Sequence, residues 1–129
     1  MPSVLASERI TGTVQTVLIV DDHAGFRSLA RRLLEAAGYD VVGEAEDGAS
    51  AIELALGLRP AIVLLDVQLP DFDGFEVARR LADEGLAAAT VLISTRDRTA
   101  YRRRLATSPV RGFIAKGELS GEALAELVG

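Results

Sequence analysis

Side chains suited to metal and phosphoryl chemistry stand at the ends of four short apolar runs in this sequence. Asp21 and Asp22 follow one of these runs, Asp66 ends another, and Ser94 and Lys116 close two more. Clustered carboxylates repel one another, so a divalent cation and an ammonium group are needed to keep them ionised. Because ligands made only of oxygen select hard ions, these acids predict a Mg²⁺ site. In such a site Asp66 is the expected nucleophile toward a phosphoryl group, with Lys116 and Ser94 holding its oxygens.

This prediction depends on a sheet that brings the five positions together. Five runs are β-branched and nearly continuous, as is typical of strands buried on both faces of a parallel sheet. They cover residues 17–20, 41–42, 62–65, 91–93 and 113–115. Helical periodicity marks residues 26–37 with a stop at Gly38, Gly48 to near Gly57, the segment after Gly74, residues 97–107 and residues 118–127. The alternation predicts a five-stranded, doubly wound α/β sheet with helices on both faces and a site beyond the carboxyl ends of the strands.

The composition limits the functions open to the chain. Its 129 residues, 49% of them hydrophobic, suit one compact domain. The absence of cysteine excludes disulfides and thiolate catalysis, and the single histidine, His23, excludes sites built from several histidines. A net charge of −5 argues against a surface that grips nucleic acid, so no nucleic-acid partner is predicted. The one lysine among fourteen basic residues, Lys116, indicates a position that requires a compact, mobile charge.

The first residues of the chain differ from the rest. Residues 1–14 show no clear periodicity and are predicted to form a flexible N-terminal extension, which leaves residues 15–129 as the folded domain. No stretch of apolar residues is long enough to span a membrane, and Glu8 and Arg9 interrupt the segment where a signal peptide needs an apolar core. A cytoplasmic location without membrane attachment is therefore predicted.

Two further groups of residues have both a structural and a functional interpretation. His23 lies beside the acidic pair and suggests a metal ligand, but an exposed imidazole in front of a helix is more often part of the surface. The loop 67–73 contains Pro70, Asp71 and Asp73, which suggest further metal ligands. A turn that leads into a capped helix explains them more simply. The structural interpretation is favoured in both cases.

Five segments of the sequence together resemble the receiver domains of response regulators in two-component signalling. The matching segments are VLIVDDHAGFR, VVGEAEDG, IVLLDVQLPDFDGFEVARRL, TVLIST and RGFIAKGEL, which cover nearly all of residues 16–119. Three stretches within them, VDDH, FR and VVGEAEDG, are most similar to receivers that precede helix-turn-helix domains of the LuxR/NarL type. The absence of such a domain here predicts either a stand-alone receiver or one cut from a longer regulator. The resemblance implies a flavodoxin-like fold with strand order 2-1-3-4-5.

The resemblance also implies how the acidic residues act. Asp66 is expected to accept a phosphoryl group from a histidine kinase or a histidine phosphotransfer protein. The Mg²⁺ ligands implied by the family are Asp21, Asp22, Asp66 and the backbone carbonyl of Gln68. Members of this family are phosphoacceptor switches that assist their own phosphorylation and dephosphorylation, so the chain is not predicted to be an enzyme in the usual sense.

The remaining family positions are occupied, with three departures: Thr95, Gly117, and Ser108-Pro109-Val110 in place of the usual small turn before the fifth strand. Ser94 and Lys116 match the residues that bind the phosphoryl group, and Phe113 matches the aromatic residue that takes part in switching. Thr95 replaces a smaller residue and adds bulk where water or a donor approaches the phosphorylated aspartate. Gly117 replaces the proline that usually follows the lysine, which leaves that peptide bond trans by default and the loop more mobile.

Two other functions compete with the receiver interpretation. A phosphohydrolase of the haloacid-dehalogenase type also uses aspartate and Mg²⁺, but it carries a D-x-D motif after the first strand, whereas Asp21 and Asp22 are adjacent. A scaffold that acts without phosphorylation is suggested by Thr95, Gly117 and Pro109. Nucleotide cofactors are not predicted, because the sequence contains neither G-x-G-x-x-G nor G-x-x-x-x-G-K-[ST].

Arginine is concentrated in and directly before the fourth predicted helix, at positions 96, 98, 102, 103 and 104. These residues form either a solvated polar face or a basic surface for an acidic partner or a second copy of the chain. In the second case the output surface comprises the fourth helix, the fifth strand and the last helix. Phosphate on Asp66 is then expected to draw Ser94 inward, so that Phe113 turns in behind it and the basic surface becomes available.

Overall fold

The computed structural model describes residues 14–128, which contain a five-stranded parallel sheet. Its strands are β1 (Thr16–Val20), β2 (Asp40–Ala45), β3 (Ile62–Asp66), β4 (Ala89–Ser94) and β5 (Gly112–Ala115). The spatial order is β2-β1-β3-β4-β5. This order confirms the predicted doubly wound α/β fold with strand order 2-1-3-4-5. The order reverses between β1 and β3, and in folds of this kind ligands bind in the crevice outside the carboxyl ends of such strands.

Helices cover both faces of the sheet. They are α1 (Ala24–Ala36), α2 (Gly48–Leu58), α3 (Gly74–Asp83), α4 (Arg102–Ala106) and α5 (Gly121–Val128). Side chains of α2 and α3 pack with Leu18 and Leu65 in one core cluster. Side chains of α1 and α5 pack with Ile19 and Leu64 in a second cluster on the other face. The sheet is therefore the middle of three layers.

The strand sequences explain this layering. Successive side chains of a strand point to opposite faces of the sheet. In β1, Leu18 and Val20 lie in one core cluster and Val17 and Ile19 in the other, and all four are 0% exposed. Burying each such side chain contributes roughly 1.5–3 kcal/mol. A continuous apolar run is thus required wherever both faces of a strand are covered.

Helix α2 ends close to its predicted end, whereas the last helix begins later than predicted. Helix α2 ends at Leu58, and the next residue, Arg59, adopts a left-handed conformation with φ of 48°. Pro60 disfavours a right-handed helical residue at position 59, so the helix stops before it. The last helix begins at Gly121 rather than near position 118, because the Ser120 hydroxyl accepts a hydrogen bond from the amide of Ala123 at 3.0 Å and caps it.

The fourth predicted helix is divided in two. A 3₁₀ turn at Arg98–Tyr101 precedes α4, which has only five residues. In this segment Tyr101 is buried and Leu105 is half-buried, while the arginines are exposed. Such a narrow apolar contact gives little packing energy to extend regular helix, and most helical stability in proteins comes from packing of an apolar face.

Predictions about the beginning of the chain are largely outside this description. Apart from Val14, the predicted extension at residues 1–14 lies outside the described residues. Within residues 14–128, none of the helices has the length and apolar character needed to cross a membrane.

Candidate functional site

The acidic residues predicted to act together do converge at the carboxyl ends of β1 and β3. Asp21 and Asp22 directly follow β1, and Asp66 is the last residue of β3. With His23 they form a group whose ligand atoms all lie within 4.8 Å of one another. Asp21 is 0% and Asp66 3% exposed, whereas Asp22 faces solvent. We call Asp21, Asp22, Asp66 and Lys116 the acidic site.

Lys116 supplies the positive charge of the acidic site. It directly follows β5, and its Nζ lies 2.6 Å from Asp21 Oδ2 and 3.1 Å from Asp66 Oδ2. The ammonium also lies 4.7 Å from the centre of the Phe26 ring, which favours a cation there. Burial lowers the pKa of Lys116, but the bonds and charges of Asp21 and Asp66 outweigh it and leave the pKa above its ordinary value. Lys116 is therefore a permanent ammonium at neutral pH.

One ammonium is not enough to balance the two buried carboxylates. Burial raises the pKa of Asp66 above its ordinary value, and the charge of Asp21 raises it further. The amide of Gln68, which donates to Asp66 Oδ1 at 3.1 Å, and the Lys116 ammonium act in the opposite direction without cancelling the rise. Added positive charge at this site would therefore stabilise the ionised form of Asp66.

The donor atoms suit a hard divalent cation. Three carboxylates contribute oxygen, and among the described residues the buried Asp21 Oδ2 accepts no hydrogen bond of normal geometry, its neighbour being the Lys116 ammonium. Buried oxygen atoms without a hydrogen-bond donor are suited to metal coordination. The carbonyl of Gln68 as a ligand stays a prediction.

His23 is on the surface, as expected, but it is not isolated from the acids. Its side chain is 72% exposed, and Nδ1 lies 3.0 Å from Asp22 Oδ1 and 3.2 Å from Asp21 Oδ1. Its backbone amide also donates to Asp21 Oδ1 at 2.8 Å. His23 thus orients the acidic pair at the start of α1.

The acidic site opens into a cleft of about 210 Å³. The lining residues are Asp22, His23, Asp66, Gln68, Leu69, Pro70, Thr95 and Lys116. Thr95 is exposed here, one residue after β4. The position predicted to affect access therefore does lie at the entrance to Asp66, although its effect on access stays a prediction.

Ser94 and Phe113 belong to a different environment on the neighbouring strands. Ser94 is 1% exposed, and its hydroxyl lies 3.1 Å from the hydroxyl of Tyr101 and accepts from the amide of Arg96 at 3.1 Å. Phe113 is 6% exposed, and the Tyr101 ring lies between those of Phe75 and Phe113, at centroid distances of 5.8 and 5.9 Å. We call Phe75, Tyr101 and Phe113 the aromatic cluster.

Phe113 is buried in the aromatic cluster. Its ring packs against Tyr101. Burying the ring against the other aromatic side chains is favourable by itself. The inward turn of Phe113 after phosphate draws Ser94 toward Asp66 stays a prediction.

The loop acids act as helix caps, which confirms the simpler of their two interpretations. Asp73 accepts a hydrogen bond from the amide of Glu76 at 3.0 Å and caps α3. Asp71 accepts from the amides of Gly48 at 2.8 Å and Ala49 at 2.9 Å, so it caps α2 from a distant loop. Asp71 thereby ties the loop after Asp66 to the beginning of α2.

Sequence reasoning missed Tyr101 and the target of Asp71. Tyr101 lies among arginines in the sequence. It is the only large aromatic residue of that segment, and this was the one sign of its burial. Asp71 carried a turn signal, but its partners are 22 and 23 positions away in the sequence. Local patterns contain no information about such contacts.

The arginine-rich segment is partly engaged in the fold. Arg104 lies 2.7 Å from Asp73 Oδ2, and its guanidinium lies 4.1 Å from the centre of the Phe75 ring. Arg98 donates to the carbonyl of Phe113 at 3.4 Å. The others, Arg96, Arg102 and Arg103, are exposed. The segment is therefore neither wholly solvated nor wholly available to a partner.

Comparison with known proteins gives a consistent result. The model of the response regulator receiver domain family matches residues 17–128. The virulence-factor transcription regulator BvgA of Bordetella pertussis is 35% identical over 102 residues, which are 79% of this chain and 49% of that protein. The transcriptional regulatory protein NarL of Mycobacterium tuberculosis is 38% identical over 101 residues, 78% of this chain and 47% of that protein. The chain thus spans about half the length of these relatives.

Solved structures agree with the sequence matches. The signal receiver domain of the response regulator NarL from Mycobacterium tuberculosis superposes with a TM-score of 0.81 at 32% identity, covering 89% of this chain and 96% of that one. The response regulator domain of Thermotoga maritima CheB gives a TM-score of 0.78 at 26% identity, covering 90% of this chain and 94% of that one.

Proposed function

Because the chain belongs to the receiver domain family of two-component response regulators and is most similar to NarL/LuxR-type members, we propose that Asp66 accepts a phosphoryl group. The donor is a phosphohistidine of a histidine kinase or a histidine phosphotransfer protein. One observation carries the proposal: Asp66 is almost completely buried, yet it lines the open cleft and is bonded to Lys116. The folded receiver comprises residues 15–129.

The proposed transfer moves one phosphoryl group between two side chains. An Oδ atom of Asp66 forms a bond to phosphorus, while the bond from phosphorus to the donor imidazole breaks and its electron pair stays on the imidazole nitrogen. Lys116, 3.1 Å from Asp66 Oδ2, carries the fixed positive charge that the transferred oxygens require. The Ser94 hydroxyl donates to one of those oxygens after transfer.

The acidic site fits Mg²⁺, held by Asp21, Asp22, Asp66 and the Gln68 carbonyl. The fit is supported by the oxygen donors of the three acids and by the buried Asp21 Oδ2, whose close neighbour is the Lys116 ammonium. When bound, the ion supplies positive charge that offsets the charge on the phosphoryl oxygens. This positive charge also favours the ionised form of Asp66 at neutral pH.

Thr95 limits how water reaches the phosphorylated site. It lines the cleft and is exposed, which supports a role of its methyl group in hindering the approach of an attacking water. We expect the phosphorylated form of Thr95→Ala to lose phosphate several-fold faster than wild type. Unchanged loss from that variant would show that Thr95 does not limit access.

The site of modification tests the proposal directly. The protein is incubated with acetyl phosphate and Mg²⁺, reduced with borohydride and digested for mass spectrometry. The label is expected on Asp66 in wild type and in the control variant Asp40→Asn, which changes the exposed amino end of β2. No label is expected in Asp66→Asn. A label on Asp21 would instead indicate a phosphohydrolase of the haloacid-dehalogenase type. A wild-type protein without any label would indicate a scaffold that acts without phosphorylation.

The output surface is α4, β5 and α5, where the exposed arginines meet either an acidic protein or a second copy of the chain. Interfaces built on exposed arginine weaken with salt, because charges near solvent are screened within about 8 Å at physiological ionic strength. Light scattering and amide exchange with and without beryllofluoride, at low and high salt, test this surface. If neither the region 98–113 nor the association state responds, the arginines are solvated surface.

The remaining assignments follow from the proposed switch. The protein works in the cytoplasm, where its kinase partner displays the phosphohistidine, and it uses no membrane attachment. The chain itself binds no nucleic acid, in keeping with its net charge of −5. It turns over no substrate other than its own phosphoryl group, so it acts as a switch and not as an enzyme in the usual sense.

A further inference from the structure

Tyr101 contacts the switch hydroxyl from a part of the chain that the proposed transfer does not use. It ends the 3₁₀ turn before α4, is 8% exposed and places its hydroxyl 3.1 Å from Ser94 Oγ. Its ring is held by Phe75 and Phe113 on either side. The neighbouring rings therefore restrict the Tyr101 side chain to one position, unlike a tyrosine on the surface.

Ser94 has a single proton to donate, and this limits its partners. The amide of Arg96 already donates to Ser94 Oγ at 3.1 Å. Within residues 14–128, the Tyr101 hydroxyl is the other group bonded to Ser94 Oγ, and either of the two hydroxyls can be the donor. A phosphoryl oxygen is an acceptor only, so it needs the Ser94 proton. Tyr101 and a phosphoryl group on Asp66 therefore compete for the position of the Ser94 hydroxyl.

The register of the strands shows why this competition involves movement. Asp66 pairs with Ile93, and Ser94 is the next residue along β4. Because side chains alternate along a strand, Ser94 lies on the face of Leu92, in the same core cluster as Tyr101 and Phe113. Ile93 faces the other cluster. The bond to Tyr101 thus holds the Ser94 hydroxyl toward the aromatic cluster and away from Asp66.

We propose that Tyr101 is a positioning residue that restrains Ser94 and so opposes phosphoryl binding at Asp66. The aromatic residue on β5 is Phe113, which has no hydroxyl, so Tyr101 provides the phenol of the cluster from a different element. Ser94 must break its hydrogen bond to Tyr101 before it can donate to a phosphoryl oxygen. The free energy lost with that bond makes phosphoryl binding at Asp66 less favourable. This inference rests on the proposed phosphorylation of Asp66.

Beryllofluoride binding in the presence of Mg²⁺ measures the restraint. Tyr101→Phe removes the hydroxyl but keeps the stacked ring, so beryllofluoride is expected to bind about three- to tenfold more tightly, the range given by one net hydrogen bond. Tyr39→Phe, which removes the other tyrosine hydroxyl of the chain, is the matched control and is expected to bind like wild type. In a Ser94→Ala background, Tyr101→Phe is expected to have no effect.

Each result has a definite meaning. Unchanged or weaker binding by Tyr101→Phe, or the same gain in the Ser94→Ala background, overturns the restraint while leaving phosphorylation of Asp66 intact. Wild-type protein that binds no beryllofluoride overturns the proposed function and this inference with it. The cycle therefore distinguishes the two failures.

A spectroscopic measurement covers the case in which Tyr101→Phe does not fold. The chain has two tyrosines and no tryptophan, so in Tyr39→Phe the intrinsic tyrosine fluorescence reports on Tyr101 alone. Beryllofluoride with Mg²⁺ is expected to change this fluorescence, because the phenol loses its partner Ser94. A signal that stays constant while beryllofluoride binds would overturn the proposal.

Discussion

The acidic site and the aromatic cluster lie at the same end of the sheet but are built in different ways. In the acidic site, Asp21, Asp66 and Lys116 each stand at or next to the end of a strand, and charge decides how they meet. In the aromatic cluster, Phe75, Tyr101 and Phe113 come from α3, a 3₁₀ turn and β5, and shape decides how they meet. Ser94 stands between the two regions.

The difference shows how a fixed site can be connected to a movable one. The acidic site holds two buried carboxylates against one ammonium, an arrangement that is costly by itself and gains stability from added positive charge. The aromatic cluster is apolar and favourable by itself, and among the described residues its side-chain hydrogen bond to β4 is the hydroxyl contact with Ser94. The proposed phosphorylation of Asp66 would then change one hydrogen bond of Ser94 and leave the sheet as it is.

The largest expected effect comes from crowding the acidic site. A Cβ at Gly74, the first residue of α3, would collide with the carbonyl oxygen of Asp66. Gly74→Ala is expected to lower the free energy of unfolding by about 3 kcal/mol, since neither backbone segment can move aside. Gly117→Ala, where nothing lies within 4 Å, is the control and should change it by less than about 0.5 kcal/mol. Urea unfolding that gives equal values for the two variants would contradict this account.

The second effect compares two caps, one on the loop that follows Asp66 and one on the turn that contains Tyr101. Asp71→Ala removes a carboxylate that accepts from Gly48 and Ala49, and is expected to lower the free energy of unfolding by about 1 to 2 kcal/mol. Asp97→Ala removes the cap of the 3₁₀ turn before α4, where Thr99 is the partner, and should cost less because the capped turn has four residues whereas α2 has eleven. A larger loss in Asp97→Ala would reverse the ranking of the two regions.

The loss in Asp71→Ala also depends on pH. Burial raises the pKa of Asp71, but hydrogen bonds from three backbone amides outweigh it and leave the pKa below its ordinary 3.8. A lowered pKa stabilises the fold above 3.8, and this contribution is lost as the pH falls through the folded value. The difference between wild type and variant should therefore shrink in acid, as unfolding curves at several pH values will show.

The third effect has the opposite sign. Asp66→Asn removes one of two buried negative charges, so in the presence of a chelator it is expected to raise the free energy of unfolding at neutral pH by on the order of 1 kcal/mol. Asp40→Asn, at the exposed start of β2, should leave it unchanged. Added Mg²⁺ is expected to stabilise wild type more than Asp66→Asn. A destabilised Asp66→Asn would mean that the ion pair with Lys116 outweighs the repulsion.

The smallest effect separates the arginines of α4. Arg104 is paired with Asp73 and lies over Phe75, so Arg104→Ala is expected to lower the free energy of unfolding by about 0.5 kcal/mol. Arg103→Ala removes an exposed side chain of the same helix and should have no measurable effect. Thermal unfolding of the two variants side by side tests the assignment, and equal midpoints would place Arg104 among the solvated residues.

The sequence by itself determined the sheet and the position of the acidic site. Strands buried on both faces need continuous apolar runs, and the end of a run is readable to within a residue or two. Asp21 and Asp66 follow such runs directly, and the sheet order then brings them to one edge. Lys116 could be predicted for the same reason, although it is 50 positions from Asp66.

Only the tertiary structure decided the aromatic cluster and the ties between loops. The bond between Ser94 and Tyr101 depends on how a short, weakly apolar helix is placed, and the cap that Asp71 gives to α2 joins positions 23 apart. Local periodicity reports which side of an element is buried, but it does not report which partner the side chain meets there. Phe113 was readable as an apolar strand residue, yet its contact with Tyr101 exists only because α3, α4 and β5 are packed together.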